Sequence, residues 1–166
     1  MRPWVSFIQL LGFKIMKIGG LTLPEELSKL ISEEKWPMTE QQAYIQHIKS
    51  PFNQKILSEL VPDEETLVLS PPDVFYTVEK YLDHLDTYWL QKEVCIKQIV
   101  PKLTVVFGGF GAGSETVIAL DFREQPEPTV IKLKWGEGWV NVTDTFKEFS
   151  DKLNLGDIKW KSLTSV

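Results

Sequence analysis

After Pro101 the chain carries three short runs of β-forming residues, LTVVF, TVIALDF and TVIKLKW. In the last of them Ile131, Leu133 and Trp135 alternate with Lys132 and Lys134, the period of two that a strand needs to present one dry face and one wet face. Such a pattern cannot settle as a helix, so this half of the chain is expected to build a sheet. The connection REQPEP, with Pro126 and Pro128, reads as a hairpin loop between the second and third runs.

Upstream the texture is helical. In LTLPEELSKLISEEKW the apolar residues Leu23, Leu27, Leu30 and Ile31 fall on one face, Pro24 suits the first helical position, and Glu25 and Glu26 sit at the positive end of the dipole. Further helices are expected from Glu40 to Ile48, from Phe52 to Leu60 and from Asp73 to Leu82 or beyond. Pro51 separates the first two, and a short strand is expected at Leu67–Leu69. A last helix is expected at TDTFKEFSDKL, where Thr145 caps and Glu148 reaches back in a capping box, with Phe146, Phe149 and Leu153 as its apolar stripe.

These elements predict an α+β fold, a single domain built on a mainly antiparallel twisted sheet covered by helices on one face. With 166 residues, 43% of them hydrophobic, the chain can bury a core without staples. The domain is expected over 21–166. Residues 1–20 are expected to be an extension, disordered or holding a mis-assigned start, with Met16 as the natural start and residues 1–15 a poorly ordered upstream stretch. The opening MRPWVSFIQLLGFKIMKIGG is a poor secretion signal, because Gln9 breaks its apolar run and no small-residue cleavage site follows.

Four glycines, Gly108, Gly109, Gly111 and Gly113, crowd between two apolar runs. Their spacing approaches that of a phosphate loop, but Ser114 and Glu115 stand where that chemistry needs Lys and then Ser or Thr, and a β pattern follows where a helix should begin. A bend between strands is the better reading. His47 and His84 are the only histidines and show no metal-ligand spacing, and no nucleophile turn accompanies His84 and Asp86. Glu115 and Asp121 form at most a weak carboxylate pair. The plainer alternative pairs Asp121 with Arg123 or Lys134. Cys95, the single cysteine, reads as a small buried hydrophobe and excludes an internal disulfide. No catalytic residue, cofactor site, metal site or small-molecule substrate is therefore expected, and the sequon at Asn141 has no meaning in a cytoplasmic chain. Nucleotide or sugar chemistry at the glycine bend is the reading disfavoured on these grounds.

A net charge of −5 argues against nucleic acid as a partner, and no apolar run is long enough to span a membrane. Carboxylates at Asp63, Glu64 and Glu65 and in the loop at Glu124 and Glu127 could complement a basic protein surface. Trp139, one of six tryptophans and next to Gly138, is a natural anchor for such an interface.

The stretch FGGFGAGSETVIALDFREQPEPTVIKLKWGEGWVNVTDTFKEFSDKL resembles the SUKH superfamily, the Smi/Knr type of proteins. It has a glycine-containing turn before a strand ending in Leu120 and Asp121, a Pro-bearing loop before a strand from Val130 to Trp135, and a helix opening with Thr145, Phe146, Lys147, Glu148 and Phe149. The similarity covers about residues 100–155 and is looser upstream, where EEKWPMTEQQ replaces the Asn-Gly-Gly turn frequent in the family. The resemblance implies a cytoplasmic, non-enzymatic bacterial protein-binding domain. Its implied role is that of an immunity protein neutralising a cognate toxin, such as a nuclease, by occlusion. The alternative it implies is a regulatory or scaffold domain that binds housekeeping partners.

Overall fold

The structure is a computed structural model and describes residues 5–10, 13–82, 97–111, 116–124, 127–134 and 136–163. It opens with strands β1 (Val5–Leu10), β2 (Phe13–Ile18) and β3 (Leu21–Thr22), paired antiparallel in that order. Helices α1 (Glu25–Ser32), α2 (Glu40–Ile45) and α3 (Gln54–Leu60) follow. Thr39 caps α2 by accepting from the Gln42 N–H, and Asn53 caps α3 by accepting from Lys55 and Ile56. The packed unit extends upstream of residue 21: Met16 and Ile18 are each 1% exposed. The Ser28 hydroxyl accepts from the Met16 N–H at 3.2 Å, tying β2 to α1.

The larger sheet is antiparallel, with strands β4 (Leu67–Leu69), β6 (Thr104–Phe110), β7 (Val117–Asp121), β8 (Thr129–Lys134) and β9 (Gly138–Thr143) in that spatial order. A short strand β5 (Tyr76–Thr77) pairs with Val105 and Val106 beside it, and a four-residue helix α4 (Val78–Tyr81) follows. The continuous helix expected from Asp73 is therefore interrupted. Pro72–Val74 form a 3-10 turn, and the extended pair Tyr76–Thr77 satisfies the stretch of β6 that β4 is too short to cover. The final helix α5 (Phe146–Leu153) is capped by Thr145, whose hydroxyl accepts from the Glu148 N–H at 3.1 Å. The Glu148 carboxylate reaches back one residue further than expected, to the Asp144 N–H.

Alternation along the central strands sends Val105, Phe107, Ile118, Leu120 and Val130 to one face of the sheet, where they join α1, α3 and α5 in the main core. Trp36 sits at the centre of that core, its ring about 6 Å from those of Phe75, Phe107 and Phe146, with its Nε1–H donating to the Ser70 carbonyl at 2.8 Å. The opposite face carries a smaller apolar cluster, in which Val106, Ala119, Ile131 and Leu133 meet Val78 of α4 and Ile99.

Two of the crowded glycines are strand residues and not part of a turn. A Cβ on Gly108 would lie 2.7 Å from the Val68 carbonyl oxygen, so glycine is what lets β4 lie against β6 beside the bulge at Val106 and Gly108. Gly113, Ser114 and Glu115 lie outside the described residues.

The outer edge of β4 is closed by a side chain. Gln46 accepts from the Leu69 N–H at 2.8 Å and donates to the Leu69 carbonyl at 2.9 Å, standing in for a neighbouring strand.

Candidate protein-binding face

The expectation that Lys132 lies on a wet face is overturned. Lys132 shares a face with Val130, pointing toward the main core, and is 1% exposed. The alternation is present with its sides exchanged, because Ile131 and Leu133 are buried in the second cluster. The burial of Lys132 is tolerated because its ammonium is partnered by carboxylates. It donates to Asp63 Oδ2 and, at 3.1 Å, to Glu64 Oε1, and it stands 5.0 Å from the centre of the Phe110 ring. The Thr116 hydroxyl donates to the same Glu64 oxygen at 3.0 Å. Burial is the largest single influence on Asp63 and pushes its carboxyl up. The Lys132 hydrogen bond, a backbone N–H and the charges of Lys132 and Lys134 together outweigh it and hold the group below its usual 3.8.

This cluster decides what part of the acidic run can meet a partner. The Glu64 side chain is 6% exposed and committed to Lys132, and Asp63 is 31% exposed. Glu65 alone of the three is open to solvent without a role in this lock. Glu124 and Glu127 are exposed at the β7–β8 hairpin, at the other end of the strands: Asp121 pairs with Thr129 there, whereas Ile118 pairs with Lys132. The fold thus separates the two acidic groups instead of uniting them.

On the second face of the sheet a groove of about 590 Å³ runs from the hairpin end, at Asp121 and Thr129, along β8 and β9 to Trp139, which pairs with Leu133. Ile131 and Trp139 supply its apolar lining, and Asp121, Glu124 and Asp144 bring three carboxylates to it. Asp121 closes β7 with its side chain 6% exposed and clamps Arg123. The Arg123 Nε–H donates to both carboxylate oxygens, at 3.1 and 2.9 Å, and Nη2 donates to Oδ2 at 2.7 Å. That hydrogen bond, followed in weight by the burial that opposes it, leaves the Arg123 guanidinium held above its usual value. Glu115, the other member of the weak carboxylate pair, lies outside the described residues, as do His84, Asp86, Cys95 and Trp135. His47 is exposed, with its ring tilted against that of Tyr44.

Trp139 lies on β9 and is half-buried against the second apolar cluster, so only part of its ring meets the groove. Its backbone N–H donates to Gln98 Oε1 at 2.8 Å. That contact needs the glycine beside it: Gly138 has φ +88°, and a Cβ there would lie 2.0 Å from the same oxygen. The sequence hides β9, because the Gly136 and Gly138 pair reads as a loop. The signal that reveals it is the β-branched pattern of Val140, Val142 and Thr143 behind those glycines.

Among the described residues no group of three or more His, Cys, Asp or Glu side chains could hold a metal ion, and no helix is long and apolar enough to cross a membrane. Fold and surface together define a small α+β protein with an acidic, partly apolar groove on one face of its sheet. No protein-family model, no curated protein and no solved structure matches the chain.

Proposed function

We propose that this chain is a non-catalytic protein-binding domain of the cytoplasm that neutralises a cognate toxin domain by covering its active surface. The observation that carries the reading is the hairpin end of the sheet. There Glu124 lines a groove that Ile131 and Trp139 make partly apolar, and Glu127 is exposed on the same hairpin, the combination that gives a protein interface both steering charge and a place for anchors. The resemblance to immunity proteins of the SUKH type supports it independently of the geometry. A basic toxin such as a nuclease is the partner that an acidic surface of this kind suits, since carboxylates can stand where phosphates would bind.

The test is neutralisation. The tagged chain is purified from its own organism, bound proteins are identified by mass spectrometry, and a stoichiometric partner with a toxic terminal domain is expressed alone and together with this chain. Rescue of growth on co-expression supports the reading. Weak capture of ordinary cytosolic proteins, with no protection against any of their domains, supports the regulatory reading in its place.

A further inference from the structure

The groove is built to receive a positive charge. It brings three carboxylates, Asp121, Glu124 and Asp144, against one guanidinium, Arg123, and that guanidinium is already clamped. Asp144 spends one oxygen on the Asn141 side-chain amide at 3.2 Å, while Glu124 stands exposed at the rim. Between them Ile131 and Trp139 offer apolar surface. A lone metal ion would use neither this floor nor a volume of about 590 Å³, and a nucleic acid would be repelled by the excess negative charge.

We infer that the groove seats an arginine or lysine side chain presented by the protein partner, its aliphatic stem lying on Trp139 and Ile131 and its cationic head between Glu124 and Asp144. Long basic side chains have this division of labour, an apolar stem with a charged tip, and an indole beside the stem adds attraction for the cation. Arg123 has the complementary task. Its charge, held at the groove lining by the Asp121 clamp, disfavours a second cation beside the first. The inference rests on the reading of the chain as a protein-binding domain and names where the partner docks and by what chemistry.

The experiment titrates the full chain with a blocked octapeptide of alternating arginine and valine, and with its glutamate counterpart, following backbone amides by NMR. The arginine peptide is expected to shift Thr129, Ile131, Trp139 and Asn141 saturably, and the glutamate peptide to leave them unmoved. The pair Glu124→Lys with Asp144→Lys should weaken binding at least tenfold, and the milder pair Glu124→Gln with Asp144→Asn should weaken it severalfold. Glu25→Lys with Glu59→Lys, exposed on helices over the other face, should change it less than twofold. Equal loss in that control, equal binding of the glutamate peptide, or affinity unaffected at Glu124 and Asp144 overturns the inference. The two readings fail separately. If the Glu124→Lys, Asp144→Lys chain protects against the toxin as well as the natural chain does, the groove is wrong and neutralisation stands. If the arginine peptide binds as stated and no toxin is neutralised, the groove stands and the function is wrong.

Discussion

Replacing Lys132 by methionine should cost this protein about 3 kcal/mol. The substitution keeps the unbranched stem on the main-core face of β8 and removes only the ammonium, so little packing is lost. What is left behind is Glu64, whose side chain is 6% exposed and loses the ammonium that balances it, and Asp63, which at 31% exposure can regain water. Removing one partner of a buried pair commonly costs about 3–5 kcal/mol, and the partial hydration of Asp63 places this case at the lower end. With a urea slope of about 2 kcal/mol/M for a domain of this size, the midpoint should fall by about 1.5 M at neutral pH.

A companion variant separates the cause. In the triple change Asp63→Asn, Glu64→Gln and Lys132→Met, the amide oxygen introduced at position 64 still accepts from Thr116 while every charge has gone. Stability should return to within about 1 kcal/mol of the natural chain, because well-fitted neutral groups replace a buried pair at little cost. A single variant within about 1 kcal/mol of the natural protein, or a triple variant as unstable as the single, would refute the argument.

The same lock sets a response to acid. The folded-state pKa of Asp63 lies below its usual 3.8, so its stabilisation is fully present above that value and is lost as pH falls through the lower folded one. Lys132→Met should abolish that part of the decline, read as urea midpoints from about pH 5 down to about pH 2. Glu34 follows α1 with φ +57°, in a turn where its N–H donates to Ile31 and that of Lys35 to Leu30, so Glu34→Gly should raise stability by about 1 kcal/mol in thermal unfolding. The Lys161 ion pair lost with it is exposed and contributes little. Gly108→Ala should destabilise by about 1–3 kcal/mol, since its Cβ would meet the rigid Val68 carbonyl at 2.7 Å, and urea unfolding reads this directly.

What the sequence made legible is what local chemistry controls. The stripe of α1, the cap of α5 and the three strand runs after Pro101 each carry their own period or end signal, and each forms where expected. The failures are non-local. Lys132 and Asp63 stand 69 residues apart, so no window around β8 could show that a lysine in an alternating strand has its counter-charge waiting on the core side. Tyr76 and Thr77 read as helix because the gap they fill is created by the shortness of β4. Gly108 reads as turn because the strand that requires its missing side chain lies far upstream.

The same non-local pairing decides which carboxylates remain exposed for the proposed partner, and it distributes them unequally between the two ends of the sheet. At the end near Ile118, Lys132 draws Asp63 and Glu64 into one cluster that keeps a single net negative charge, and Lys134 lies 3.2 Å from Glu137. At the hairpin end Arg123 answers Asp121, and among the described residues no ion pair answers Glu124 or Glu127. Lys132 and Thr129 pair with opposite ends of β7, about 10 Å apart at strand rise, and the hairpin lies beyond. That exceeds the screening length of about 8 Å at physiological salt. Charge reversal at Glu65 and at Glu124 with Glu127 should therefore act on a partner's association rate independently. The hairpin pair should carry the larger share, about tenfold at low salt and shrinking as salt rises, because there two exposed carboxylates are reversed and at the other end only Glu65 is. Equal effects from the two ends in stopped-flow association would mean that the partner senses net charge alone and that the groove confers no orientation.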